Sequence, residues 1–391
     1  MNDFVFCSPT QFYFGRGTQH KAGELCRAYG SKVLLHYGGG SVIKSGLLGG
    51  VKTSLTKAGV SYVELGGVKP NPRDTLVREG IDLCRRESVD MILAIGGGSV
   101  IDSSKAIAVG VKYDGDFWDF YAGKAAPQDI LPLGVILTLP AAGSEVSNSS
   151  VITREEGQLK RFCDSELMRP KFAIMNPVIT FSLSPYQTAC GVVDMIAHVM
   201  ERYFTNTPEV DVSDRMCEGV IRGVMKYARI VMKDPENYDA RANIMWAGSV
   251  AHSDILGVGR QQDWSTHMME HELSGLYDVA HGAGLAVMFP AFLKYQLSYR
   301  VMRIAQFAVR VFGISMDFEK PERTAREGIR LLEAFYREIG MPTGFAELGA
   351  REEDIPIMAE KCLLNNGDKL GYFHPLTRKE IAAVYRLACQ S

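Results

Sequence analysis

The first half of the chain alternates short, nearly unbroken apolar runs with stretches whose apolar positions recur three and four apart. Lys32 to Tyr37, Val60 to Leu65, Asp90 to Ile95 and Leu133 to Leu139 are of the first kind and read as buried strands. Between them, Asp74 to Glu87 sets Leu76, Val77, Ile81, Leu83 and Cys84 on one helical stripe. Apolar strands separated by amphipathic helices predict a parallel sheet covered by helices. From about Ser184 the pattern changes. Thr188 to Phe204, Val212 to Val231, Tyr238 to Leu256, Trp264 to Leu276, Ala280 to Ser298 and Pro321 to Ile339 all carry helical periodicity. Pro208, Pro235, Gly257, Gly259, Pro342 and Gly344 break the pattern between them, and no strand is expected. The chain therefore reads as an α/β domain over 1–184 and an all-helical domain over 185–391.

Composition narrows the function classes. With 46% hydrophobic and 23% charged residues among 391, the chain has ample material for a core and is not a disordered polymer. Lys+Arg is 43 against 45 Asp+Glu, so no basic excess is available for nucleic acid. The longest uncharged run, Phe172 to Val193, is interrupted by Asn176, Pro177, Pro185 and hydroxyl residues, which argues against a membrane span. The N-terminus has Asp3 and Pro9 rather than a basic stretch followed by an apolar one, so no signal peptide is expected. Eight scattered cysteines with no CxxC pair suit reduced thiols in the cytoplasm better than a disulfide framework.

Two glycine triplets follow predicted strands: Gly38-Gly39-Gly40-Ser41 and Gly96-Gly97-Gly98-Ser99. Glycine permits a tight turn and close approach of backbone N–H groups to an anion, and the helix that follows adds partial positive charge. Two such turns on adjacent strands suit a dinucleotide, although neither has the third glycine of GxGxxG. The plain alternative is a pair of tight strand–helix turns with no ligand. Asp102, three residues after Ser99, is either a first-turn carboxylate or a cofactor contact.

Five of the eight histidines fall between 198 and 281. Asp194 and His198 are four apart within Cys190 to Phe204, whose apolar content implies a buried helix. A buried carboxylate needs a partner or a metal. His267 and His271 repeat the spacing, and His281 follows ten residues later. One Asp with two or three His from separate helices suits a divalent first-row metal with an open position, Fe(II) and Zn(II) included.

Taken together, Gly96 to Asp102, Gly143-Ser144-Glu145, Asp194-x3-His198 and His267-x3-His271 followed by His281-Gly282 resemble the iron-containing (group III) alcohol dehydrogenase family, especially its butanol dehydrogenase-like branch of NADPH-dependent aldehyde reductases. The resemblance covers nearly the whole chain. It implies a Rossmann-like α/β domain and an all-α domain in a dehydroquinate synthase-like architecture, with the active site in the cleft between. It implies metal ligands at Asp194, His198, His267 and His281, and His271 as a proton-relay residue. It puts the pyrophosphate at Gly96, Gly97, Gly98 and Ser99, with Asp102, Thr138, Ser144 and Lys160 lining the cofactor site and Asn71 near the adenosine. Members that prefer NAD often carry an acidic residue after the strand that ends at Gly38. Here Gly38, Gly39, Gly40 and Ser41 are acid-free, which resembles the NADP(H)-using branch. Ala142 stands where the family commonly has Thr.

The expected reaction is reversible hydride transfer between NADP(H) and an aliphatic aldehyde or primary alcohol. A dehydroquinate synthase-like lyase would need several cations for its phosphorylated acidic substrate. Residues 255–290 offer only Arg260 against Asp263, Glu270, Glu272 and Asp278. A helical metal-dependent phosphohydrolase would not need the glycine turns. Phe4 to Phe14, rich in β-forming residues, suggests an edge that pairs across a homodimer, as the resemblance also does.

Overall fold

The computed structural model describes residues 1–364 and 367–390. The chain forms two compact units, Cys7–Leu183 and Met1–Phe6 together with Ser184–Ser391. The first six residues leave the α/β unit because their backbone bonds elsewhere: Asn2 N donates to Gly259 O at 2.8 Å and the Met1 amino group to Pro208 O at 3.1 Å.

In the α/β unit the strands are β1 (Gln11–Phe14), β2 (Lys32–Gly38), β3 (Ser61–Val68), β4 (Met91–Gly97), β5 (Leu133–Leu139), β6 (Ser149–Arg154), β7 (Leu159–Asp164) and β8 (Phe172–Met175). Six of them form one sheet in the order β1-β8-β5-β4-β2-β3, and every pairing in it is parallel. β6 and β7 form a separate antiparallel hairpin. The helices are α1 (Ala22–Arg27), α2 (Ser41–Lys44), α3 (Leu47–Lys57), α4 (Asp74–Glu87), α5 (Gly98–Val111) and α6 (Trp118–Tyr121). Val33, Leu35, Met91, Leu93 and Ile95 pack into one cluster with Val51 and Leu55 of α3. Their alternates Leu34, Ile92 and Ala94 are equally buried, so both sheet faces are covered. All four expected strands are present. β8 and the hairpin were not expected: β8 is four residues long and stops at Asn176-Pro177, too short for periodicity to register. β1 is shorter than the Phe4 to Phe14 reading, with Phe4, Val5 and Phe6 exposed.

The other unit holds α7 (Pro185–Tyr203), α8 (Asp211–Lys233), α9 (Tyr238–His252), α10 (Ser265–Tyr277), α11 (His281–Phe312), α12 (Pro321–Glu338), α13 (Phe345–Leu348), α14 (Ile355–Lys361) and α15 (Arg378–Cys389), and no named strand among the described residues. α7 starts sharply. Ser184 and Gln187 form a reciprocal capping box, and Pro185 supplies a φ already suited to the first turn. Beyond it, Val192 to Tyr203 are all buried, so α7 is a core helix that carries its polar groups inside. α11 is two helical segments joined at Arg300, where φ is −136° and ψ is 36°, and the first of them ends close to Ser298, where the sequence pattern ends. No helix among the described residues is long and apolar enough to cross a membrane.

Candidate active site

β2 and β4 are neighbours in the sheet, but the chain continues from them in opposite directions, to β3 on one side and β5 on the other. This is the switch point of an open α/β sheet, where a crevice opens at the carboxyl ends of the strands. Both glycine triplets lie there, at the ends of β2 and β4. Gly40 has a φ of 122°, a conformation that a side chain rarely adopts. A Cβ at Gly96 would come 2.4 Å from the Val100 side chain, so the turn into α5 closes only on glycine. α5 begins at Gly98 with no side-chain cap, leaving its first N–H groups for an anion.

Behind this turn two of the residues expected to line a cofactor, Asp102 and Ser144, belong to a bonded network. The two carboxylate oxygens of Asp102 accept from Ser144 Oγ and, at 3.0 Å, from Val151 N. Lys105, fully buried, donates to Ser144 Oγ at 3.1 Å, Ser147 O at 2.9 Å and Ser149 O at 2.7 Å. Burial pushes the Lys105 pKa down to about 8, against the pull of Asp102 and Glu145. Burial also raises the Asp102 pKa, opposed by Lys105, Ser144, the Val151 N–H and Lys160. The segment from Ser144 to Val151 is thus pinned to α5. Lys160 is buried on β7, Thr138 is half-buried on β5, and Asn71 is buried in a left-handed conformation with φ 50°. Ala142 is the residue nearest to Gly98, with its Cβ 3.5 Å from where a Cβ there would stand. Sequence reasoning missed Lys105, which in the sequence is one lysine in an apolar helix.

In the helical unit, Asp194, His267 and His281 bring their ligand-type atoms within 4.8 Å of one another. They come from α7, α10 and the first residue of α11. His198 lies beside them: its Nδ1 is 2.8 Å from Asp194 O, and its ring centroid is 4.6 Å from that of His267. A carbonyl only accepts, so Nδ1 carries the proton and the Nε2 lone pair is left for a ligand. The ring of His271 is 5.7 Å from that of His281, and it joins a second grouping with Glu270 and His281.

The close approach of α11 to α7 is set by glycine. A Cβ at Gly282 would meet Cys190 O at 2.1 Å. Cys190 is one turn before Asp194, and His281 is next to Gly282, so this contact spaces two members of the cluster. At Gly284 a Cβ would meet the Glu270 carboxylate at 2.6 Å.

The site fits a divalent cation. His267 Nε2 is buried and has no hydrogen-bond partner among the described residues. Burial, reinforced by His198, His281, His271 and His252, holds the His267 pKa well below the usual range, so the imidazole is neutral with a lone pair to give. One carboxylate with imidazoles is a donor set for first-row divalent metals.

Residues 9–177 match the family described as iron-containing alcohol dehydrogenase, and residues 188–389 match the C-terminal part of the Fe-containing alcohol dehydrogenase family. The chain belongs to the iron-containing alcohol dehydrogenase family. It is 41% identical over 386 residues to a probable NADH-dependent butanol dehydrogenase 1 of Bacillus subtilis, covering 99% of each chain. It is 34% identical to the NADPH-dependent aldehyde reductase YqhD of Escherichia coli, over 99% of this chain and all of the relative. The crystal structure of NADH-dependent butanol dehydrogenase A from Thermotoga maritima superposes with a TM-score of 0.96 at 38% identity, over 100% of this chain and 99% of that one. The expected architecture, an α/β unit with a parallel sheet and a helical unit, is that of this family. The reaction class is metal-dependent, nicotinamide-linked alcohol dehydrogenation or aldehyde reduction. Family membership leaves neither the lyase nor the phosphohydrolase reading standing.

Two residues of this iron-containing alcohol dehydrogenase were not anticipated. Glu201 Oε1 is 2.8 Å from His267 Nδ1, and Glu270 Oε2 bonds His281 Nδ1. Both carboxylates are almost fully buried. The available signal was their spacing: each lies three residues after a histidine on an apolar helix face.

Proposed function

We propose that this chain is an NADP(H)-linked aldehyde reductase, reducing aliphatic aldehydes to primary alcohols, with Fe(II) or Zn(II) held by Asp194, His198, His267 and His281. The observation that carries the metal reading is the buried, unbonded Nε2 of His267 within the Asp194–His281 cluster. A divalent metal supplies Lewis-acid polarisation of the carbonyl, and reduced nicotinamide supplies hydride. The chain's own residues bind and orient. N–H groups at Gly96, Gly97, Gly98 and Ser99 receive the pyrophosphate, with Asp102, Thr138, Ser144 and Lys160 beside it and Asn71 toward the adenosine. His271 gives a proton from an imidazole nitrogen to the product oxygen.

The choice of NADP(H) rests on the turn at Gly38, Gly39, Gly40 and Ser41, which carries no carboxylate to repel a 2′-phosphate. Ser41 is exposed there with its hydroxyl available. Relatives are named for either cofactor, so the measurement is kcat/KM for butanal with NADPH and with NADH on the metal-loaded protein. A higher value with NADPH supports the reading, and an NADH preference overturns the cofactor choice. The same proposal includes a cytoplasmic homodimer. It is supported by eight cysteines that form no disulfide and by β1 at the sheet edge, and is checked by light scattering in solution.

A further inference from the structure

The start of α10 is not capped by its own N-cap residue. Its N-cap residue is Trp264, held in the left-handed region at φ 67°, and its side chain makes no capping bond. A helix begins with N–H groups that have no partner within the helix. Here two of them are met from another helix, while the Asp263 carboxylate takes that of Ser265. Glu201, on α7, accepts from Trp264 N at 2.8 Å through Oε2 and from His267 N at 3.0 Å through Oε1. The backbone of the same residue accepts from Asp263 N at 3.0 Å.

That carboxylate does a second thing. Its Oε1 also takes the ring Nδ1 of His267 at 2.8 Å. A carboxylate accepts, so Nδ1 is the protonated nitrogen and Nε2 is the one with the lone pair. This Nε2 is buried, with no hydrogen bond among the described residues. An Asp or Ser at 264 would have capped the helix locally. A Glu reaching across from α7 caps it and fixes the ring as well.

We infer that Glu201 is a positioning residue of the metal centre, which starts α10 and presents His267 Nε2 as a ligand. This rests on the metal reading above. Glu270 repeats the arrangement, three residues after His267 and bonded to His281. α7 therefore sets a ligand on α10, and α10 sets a ligand on α11.

The test uses metal-stripped full-length protein, wild type and Glu201→Gln. Each is titrated with Co(II), reading the visible d–d absorption, and with Zn(II) in competition with a chromophoric chelator. Melting temperatures of the stripped proteins are taken alongside. The amide of Glu201→Gln has one acceptor oxygen, so the cap and the ring cannot both be held as before. Loss of an outer-shell partner of this kind weakens metal binding by about 10- to 100-fold. The expected result is a loss of that size with an altered Co(II) spectrum. Unchanged affinity and spectrum, whatever the stripped protein's melting temperature does, overturns the inference and leaves Glu201 a helix cap only. Wild-type protein that binds neither ion overturns the metal reading, and the inference with it. Should Glu201→Gln not fold, nitrogen-15 histidine spectra of Zn(II)-loaded wild type decide the matter. His267 protonated at Nδ1 and metal-bound at Nε2 supports the inference, and the reverse overturns it.

Discussion

Replacing Gly282 by alanine adds one methyl group at the point where α11 meets α7. That methyl would lie 2.1 Å from Cys190 O and 2.7 Å from the Cys190 carbonyl carbon. The obstacle is backbone, which cannot rotate out of the way as a side chain can. Cβ contacts below 3.0 Å are essentially never seen, so the two helices must part by about 1 Å in an interior with little slack. Overpacking of this kind costs about 1–3 kcal/mol. The displacement falls between Asp194 and His281, whose Oδ1 and Nε2 are 3.7 Å apart. A metal site tolerates ligand displacements of about 0.2 Å, so binding must draw the helices back together against that strain. If all of it is charged to the metal, affinity falls by about 5- to 150-fold. The assay is Zn(II) affinity by chelator competition, with thermal melting of the stripped protein. Gly219→Ala on α8, where a Cβ meets nothing within 4 Å, is the control and should bind metal as wild type does. A Gly282→Ala protein with wild-type metal affinity and melting temperature would refute the argument that this contact spaces the ligands.

Three further outcomes are expected. Saturating metal at about a thousand times its Kd should stabilise the protein by about 4 kcal/mol, seen as a melting shift that chelation removes. His267→Ala should abolish that shift, whereas His271→Ala should keep it and lose turnover. Lys105→Met leaves Ser144, Ser147 and the Ser149 carbonyl without their shared donor, so it should destabilise by about 1–3 kcal/mol. Because the segment from Ser144 to Val151 is then unpinned, KM for the nicotinamide cofactor should rise more than kcat falls. His36 is fully buried on β2, with Nδ1 on Leu65 O and Nε2 on Ser103 Oγ, both at 2.8 Å. Burial pushes its pKa down to about 4, below the value of about 6.5 in the unfolded chain. The unfolded state therefore binds the extra proton first. The stability that neutral His36 contributes is complete above about pH 6.5 and is lost as pH falls toward 4, by about 2 kcal/mol at pH 5. Urea unfolding of wild type and His36→Gln at pH 7 and pH 5 should show their stability gap narrowing by that amount, and a constant gap would refute it.

Much of the fold was legible because its signals are local. Four strands and the major helices of the second half announce themselves by apolar period, and the boundary near Ser184 coincides with a capping box. The second segment of α11, beyond Arg300, was not legible. Gly313 at its true end is in the left-handed conformation, but the periodicity weakens near Arg300, where the helix bends. β8 depends on β1 and β5, both distant in sequence, and the four residues of β8 and six of each hairpin strand give too few periods to read. In the α/β unit the two glycine triplets were visible as turns. Their significance comes from β2 and β4 being neighbours at the switch point, which is a property of strand order.

The same distinction separates the metal cluster from what holds it. Asp194, His198, His267, His271 and His281 could be nominated because ligand chemistry is carried by residue type and by spacing within one helix, whereas the choice of Asp194, His198, His267 and His281 among them came from the family resemblance. Their orientation is carried between helices. Glu201 serves a histidine 66 residues away and Glu270 one 11 residues away, so no period in the sequence links either pair. What the sequence does hold is an anomaly: Glu201 and Glu270 are carboxylates on apolar helix faces, three residues after His198 and His267. A buried carboxylate is costly unless it is bonded to something that needs it there. Read with that cost in mind, each such glutamate asks which donor on another helix requires it. In this chain the answer in both cases is the ring N–H of a histidine whose other nitrogen belongs to the cluster. The glycines at 282 and 284 complete the logic, since the carbonyl of Cys190 and the carboxylate of Glu270 occupy the space that side chains there would fill. The cluster is therefore built by contacts that pass from α7 to α10 to α11, and its precision depends on helix packing as much as on the four side chains proposed as ligands.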